Sequence, residues 1–403
     1  MVAGFYAELR LLDIKPVPAW LLEDFKCYEN ALVRAEHGGD PYSDRNIGTA
    51  FLYPPPALNV VGLFSHIDSF FLKVAVYTVL NLALLAFMMR GIAIRYGYSM
   101  DQTWYWWVLG FGFAPFLELL HIGQINMITQ FGLFLLFAYQ ARAPAVSGFG
   151  LCLAMFTKVT PVLFVWPVLL QKQFRLLLFT GLIAVLTVAL TVFRFGAAPF
   201  LEYPQVFTGL LHAFPLGPNS QSLVSKLAIA DEAYFRNVVA LLPVSMSAPV
   251  VHLFRYCTDH VPVVQRLLTM YLVAVLGVSG VMAFVSRREW EPLFLLTAFA
   301  MLLSPSIVWY HHYVFLLLPV FVWMAWSRLD IRVVLWCFLG LLIVQLDRHR
   351  APHGLFVHLW SHVSLLVILA GQSIQFAKVC GRRADLRGAG SATRESVNQE
   401  GPE

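Results

Sequence analysis

Apolar runs of near 20 residues recur along this chain, separated by short polar stretches that carry most of its lysines and arginines. Windows of about 19 residues predict full membrane spans at 68–90, 104–121, 124–140, 174–193, 266–286, 291–309, 312–327, 332–346 and 355–377. Each is close to the roughly 20 residues a helix needs to cross a hydrocarbon core. The stretch between Arg142 and Lys172 departs from that rhythm: it is too long for one span and too short for two with a loop. It predicts a half-membrane hairpin of two short helices over 143–171, turning at Thr157-Lys158-Val159-Thr160-Pro161. Pro161 disfavours helix at Thr160, which places the turn there. Lys158 at that tip either faces a cavity or an anion, or snorkels to the interface.

The polar stretches between the spans set the remaining divisions. Residues 1–67 form a first loop, whose stretch from Glu23 to Pro56 opens on a carboxylate pair, Glu23 and Asp24, and closes on Tyr53-Pro-Pro-Pro. After the spans and hairpin of 68–193, residues 194–265 form a second loop; its apolar part, Asn237–Leu253, reads as an interfacial helix. Spans resume over 266–377, and the Gly/Ser/Arg-rich tail 378–403 lacks apolar periodicity and reads as disordered. No internal repeat is visible, unlike the duplicated halves of many transporters.

Composition agrees with an all-α polytopic membrane protein. Of the 403 residues 59% are hydrophobic and 13% charged, against about 25% charged in soluble domains; the mean hydropathy is +0.69. A soluble core of this size would have too little polar surface to solvate it. The net charge of +5 is scattered between apolar runs and forms no basic, aromatic-interleaved stripe, which excludes a nucleic-acid footprint. Arg90, Arg95, Arg142, Lys172, Arg175, Arg287, Arg288, Arg328, Arg332, Lys378, Arg382 and Arg383 all fall at span ends on one side. The positive-inside rule makes that side cytoplasmic, so the two loops face outward and the tail faces inward. The five cysteines show no metal-ligand spacing. Nucleotide-binding glycine loops, zinc-protease and serine-hydrolase signatures are all missing.

On the outward side, titratable and polar residues converge from distant parts of the chain: Glu23 and Asp24; His121, Gln124 and Asn126; Lys158; Asn219, Gln221 and Ser222; His311 and His312. Polar groups at membrane depth usually serve function. Singly, each has a plainer reading. The His121–Asn126 run reads equally as a helix break at Gly123, and His311-His312 as a helix end within an aromatic belt of Trp309, Tyr310 and Tyr313. Glu118, an acid inside a span, could equally pair with a basic neighbour.

Taken in order, several of these stretches resemble the bacterial polyprenol-phosphate-mannose-dependent mannosyltransferases of the GT-C superfamily, including phosphatidylinositol-mannoside mannosyltransferases. The matching residues are Asp24-Phe25, Asp40-Pro-Tyr42 and Tyr53-Pro-Pro, then Gly123-Gln124-Ile125-Asn126. Gly148 to Lys158-Val-Thr-Pro161, Asn219-Ser-Gln-Ser-Leu223 and Ser304-Pro305 leading to Trp309-Tyr-His311-His312 follow. Together they cover about residues 24 to 320. Two departures stand out: the family's first transmembrane helix is not evident ahead of the loop, which reads either as a start placed too late or as a shortened member with Ala3–Leu12 as the remnant, and the Asn219 run carries an extra Ser.

The resemblance implies a GT-C fold of about nine spans plus the hairpin. It implies an integral enzyme of the bacterial plasma membrane whose site faces the extracytoplasmic side. Such an enzyme moves a hexose, mannose by resemblance, from a polyprenyl-phosphate sugar to a glycolipid or glycan acceptor, with no cofactor and no metal. Asp24 would be the base that takes the acceptor proton. Lys158, His311 and His312 would hold the donor phosphate or line the reacting centre. Glu23, His121, Gln124, Asn126, Asn219 and Gln221 would shape the sugar or acceptor pocket. A transporter or flippase of a lipid-linked glycan would use the same polar cluster for binding without chemistry.

Overall fold

The computed structural model describes residues 21–44, 49–212, 289–303 and 310–327, with scattered helical positions between 266 and 281. Among the described residues every regular element is a helix. The spans expected at 332–346 and 355–377, most of that at 266–286, and the interfacial helix at 237–253 lie outside them. So do Ala3–Leu12, the tail 378–403, Asn219 and Gln221.

The first loop is itself folded. Helix α1, Glu23–Glu36, buries Phe25, Tyr28, Leu32 and Ala35 along one stripe, the i, i+3, i+7 spacing of an amphipathic helix. Its first turn holds Glu23 and Asp24 and its last turn Arg34, the arrangement a helix dipole favours. Beyond it, the Asp40 carboxylate accepts from the Tyr42 N–H at 2.7 Å, and Arg34 donates to the Pro41 carbonyl at 3.0 Å. Helix α2, Ala57–Ser65, follows the proline run and docks on a later span, with Asn59 Nδ2 donating to Thr191 Oγ1 at 2.8 Å.

Helix α3, Phe70–Arg95, starts at Ser69, whose hydroxyl accepts from Leu72 N–H. With 26 residues it is about 39 Å long. Helix α9, Phe174–Phe195, is the other helix among the described residues long and apolar enough to cross a membrane alone.

The span expected at 104–121 is broken. It consists of α4, Met100–Phe111, and α5, Ala114–Ile122, bent by 53°. Pro115 has no N–H to offer and its ring collides with the carbonyl one turn back, so a straight helix cannot pass through it. The pair counts as a third possible span only if taken together. The span expected at 124–140 is also shorter than read: α6, Asn126–Tyr139, has 14 residues, about 21 Å. Gly123, at φ +83°, stops α5 in a left-handed turn and delays the next helix to Asn126. The count of nine spans therefore exceeds what the described residues contain.

The 143–171 stretch is helix α7, Pro144–Thr157, an extended Lys158, a 3-10 turn over Thr160–Phe164, and α8, Val165–Leu170. Helices α6 and α7 meet backbone to backbone, because a Cβ on Gly132 or Gly150 would stand 2.5 Å from the other's carbonyl oxygen. After α9 comes α10, Ala198–His212. Helix α11, Trp290–Leu303, covers the start of the expected 291–309 span. The expected 312–327 span opens as a 3-10 turn, Tyr310–Leu316, and turns α-helical only as α12, Leu317–Ser327. Pro319 accounts for the change: it fits a first helical turn but not an interior.

The bundle has two distinguishable ends. At one, Arg95 donates to the Ala138 carbonyl at 3.2 Å and pairs with Glu291 at 3.1 Å, while Gln173 donates to Gln140 at 2.8 Å. At the other lies the folded loop, held by Arg194–Glu36 at 2.7 Å and by Lys73–Glu29. The candidate residues of the described chain gather at this second end.

Candidate active site

Asp24 sits in the first turn of α1, half-buried, and its Oδ2 accepts a hydrogen bond from Gln124 Nε2. Two features hold α1 against the α5–α6 turn. Leu22, at φ 57°, points its N–H at the His121 carbonyl, 2.7 Å away. Gly123 lies so close beneath that a Cβ there would meet the Phe25 Cβ at 2.8 Å. A non-glycine residue held at positive φ is uncommon and is kept only where its surroundings demand it. Here the demand is the approach of Asp24 to Gln124.

The Gln124 amide is held from every side. Its Oε1 accepts from the Tyr53 hydroxyl at 2.5 Å, and its backbone carbonyl accepts from the Tyr77 hydroxyl of α3. Tyr53 in turn lies 3.0 Å from the Tyr28 hydroxyl. Around them the rings of Phe25, Tyr28, Phe51, Tyr53, Phe64 and Tyr77 interlock, edge to face for Phe25–Phe64 and Tyr28–Tyr53 and tilted for Phe25–Tyr77 and Phe51–Tyr53. This apolar cage pushes the Asp24 carboxyl up to about 6, the loss of hydration being the main cause. The Gln124 hydrogen bond works against that rise, and the charges of Glu23 and Glu118 add to it. Glu23 is exposed beside Asp24 and touches the site through its charge. His121 contributes its carbonyl to the Leu22 anchor.

A second cluster is built on Lys158. Leaving α7 in extended conformation at φ −161°, Lys158 brings its Nζ within 2.8 Å of His312 Nε2. Its ammonium also lies 5.1 Å from the centre of the Phe315 ring. His311 and His312 are both buried, with rings perpendicular and 4.7 Å apart. The backbone carrying them is pinned by Gln130 of α6, which donates to the Val314 carbonyl and accepts from Leu318 N–H at 3.2 Å. Those are the two groups a change from 3-10 to α-helix leaves unpaired.

The first turns of α6 join the clusters. Gln124 and Asn126 stand at its start, and one turn on Thr129 Oγ1 lies 2.9 Å from Thr157 Oγ1, next to Lys158. Asn126 is fully buried at 0% exposure, and neither of its amide atoms has a hydrogen-bond partner among the described residues. A buried amide left so costs free energy unless something else satisfies it. Among the described residues no group of three or more His, Cys, Asp or Glu side chains is placed to hold a metal ion.

Direct contact thus joins Asp24 to Gln124 and Lys158 to His312. The hydrogen bonds of Tyr28, Tyr53 and Tyr77 to the Gln124 network escape sequence reasoning, although Tyr53-Pro-Pro marks one of them and Tyr28 lies four residues after Asp24 on the same helix face.

No curated protein matches this chain. The sequence profile of glycosyltransferase family 87, a membrane glycosyltransferase family, matches residues 51–305. That interval is more than half of the chain and contains Tyr53, Gln124, Asn126 and Lys158. The chain belongs to glycosyltransferase family 87.

Proposed function

We propose that this membrane glycosyltransferase transfers a hexose, mannose by resemblance, from a polyprenyl-phosphate sugar to a glycolipid or glycan acceptor on the extracytoplasmic side. The observation that carries the reading is the Asp24 carboxyl, caged by aromatic rings, steered by Gln124 and pushed up to about 6. A base poised near neutral pH serves proton abstraction well.

In the reaction Asp24 takes the acceptor hydroxyl proton as that oxygen forms its bond to the anomeric carbon. The bond from that carbon to the phosphate oxygen breaks on the opposite face, and its electron pair leaves with the polyprenyl phosphate. The configuration inverts. Lys158, with His312 at 2.8 Å, meets the growing negative charge on the departing phosphate. A monophosphate carries less charge than a nucleotide diphosphate, so these side chains suffice for it. Asn126 supplies an unpaired donor and acceptor for sugar hydroxyls.

The test is transfer by purified protein in nanodiscs given polyprenyl-phosphate-mannose and a glycolipid acceptor. A new glycosidic bond is expected, and Asp24→Asn abolishes it. Movement of lipid-linked glycan across liposomes with no new bond would replace this reading with that of a flippase.

A further inference from the structure

Tyr53 has no place in the proton transfer just described, yet its hydroxyl donates to the side-chain oxygen of Gln124. We infer that Tyr53 is a positioning residue: it locks the Gln124 side-chain amide in the one orientation that presents an NH2 donor to the base Asp24.

The polarity of the contacts carries this. An ionised carboxylate only accepts hydrogen bonds, so Gln124 must turn its NH2 to Asp24. Its Oε1 then faces Tyr53, which must donate, at 2.5 Å. Having given its only proton to Gln124, the Tyr53 oxygen accepts from Tyr28, 3.0 Å away. The chain Tyr28–Tyr53–Gln124–Asp24 therefore has a single direction while Asp24 is ionised. A free glutamine amide could flip and offer Asp24 an oxygen instead, which would repel the carboxylate. Gln124 is buried and its backbone is held by Tyr77, so the side-chain torsion is the freedom left for Tyr53 to remove. Tyr53 is set in place for this by the proline run Pro54-Pro55-Pro56 that follows it.

The groups facing Asp24 are Glu23 and Cys27 of its own helix, Glu118 of α5, and the hydroxyls of Tyr28, Tyr53 and Tyr77. Of these, the Tyr53 hydroxyl donates a hydrogen bond to the Gln124 side chain. The inference rests on Asp24 being the base, and its infrared test does not depend on substrate.

Full-length protein in nanodiscs is titrated by pH-difference infrared spectroscopy, with the protonated carboxyl band of Asp24 identified by its loss in Asp24→Asn. Tyr53→Phe keeps the ring and removes the hydroxyl; the midpoint is expected to rise by about one pH unit, because a hydrogen bond to the charged form is weakened. Tyr42→Phe removes a buried hydrogen bond from the same segment without touching Gln124, and its midpoint is expected to stay at the wild-type value. In transfer assays Tyr53→Phe lowers kcat near neutral pH, recovers it at higher pH, and leaves KM unchanged. A Tyr53→Phe midpoint equal to wild type, or an equal rise in Tyr42→Phe, overturns the inference. Transfer surviving in Asp24→Asn would overturn the base reading separately, while the infrared midpoints still decide whether Tyr53 orients Gln124.

Discussion

Lys158 Nζ lies 2.8 Å from His312 Nε2, although the two residues are 154 positions apart in the chain. When Lys158 is protonated it has no lone pair, so the imidazole then accepts at Nε2 and carries its proton on Nδ1. The ammonium keeps two further N–H donors. An anion arriving here meets a lysine already oriented by its neighbours, which is the condition for strong charge stabilisation.

Replacing that lysine tests its role. Lys158→Met keeps an unbranched side chain of nearly the same length and removes the charge. We expect kcat/KM for a lipid-phosphate sugar to fall about 10²- to 10³-fold, the usual effect of deleting one such stabilising group. His312→Phe is expected to cost less, because the charge remains. Steady-state kinetics of both variants, with thermal unfolding as the control for folding, check the order.

With Asp24 as the proposed base, its carboxyl predicts opposing pH dependences for activity and stability. With its folded value pushed up to about 6, against about 3.9 unfolded, the native state holds the proton more tightly. Its contribution to stability is complete below pH about 4 and is lost as pH rises to about 6. Base activity runs the other way, rising through pH about 6 to a plateau. Asp24→Asn should therefore raise the unfolding temperature at pH 7.5 and change it little at pH 4. Unfolding scans at the two pH values measure the difference, and a pH–rate profile of wild type locates the limb.

How far the sequence foretold this arrangement depends on the kind of feature. Helix α9 was legible nearly to the residue, since an uninterrupted apolar run ends between Lys172 and Gly196. The break between α4 and α5 was not, because a hydropathy window averages over Pro115 and reports composition without direction. Asp24 and Gln124 both stood out as polar groups beside apolar runs. Their contact spans 100 positions and follows no helical period, so only the fold reveals it. Tyr53 was visible as the start of a proline run, which explains its rigidity but not its partner.

The backbone contact of α6 with α7 makes a sharper demand on sequence than any of the polar groups. A methyl on Gly132 or Gly150 would press into the other helix's carbonyl at 2.5 Å. Overpacking of this sort costs about 1–3 kcal/mol. Gly150→Ala should lower thermal stability in detergent and also reduce transfer, because α7 carries Lys158 at its end. Gly181→Ala is the matched control: no heavy atom lies within 4 Å of a Cβ there, so little change is expected.

The two ends of the bundle carry different charges, and that difference predicts its orientation. Arg95, Arg142, Lys172 and Arg175 mark the end where Gln140 meets Gln173. Asp24, Gln124 and the folded loop mark the other. Short loops rich in lysine and arginine stay cytoplasmic, which predicts that Asp24 faces outward. In a background with its cysteines replaced, Asn30→Cys on the exposed face of α1 and Ala141→Cys at the exposed turn after α6 report on the two ends. A membrane-impermeant maleimide applied to intact cells should label position 30 and spare position 141, with both labelled after permeabilisation. The reverse pattern would put the Asp24 site on the cytoplasmic side. It would also rule out an extracytoplasmic acceptor.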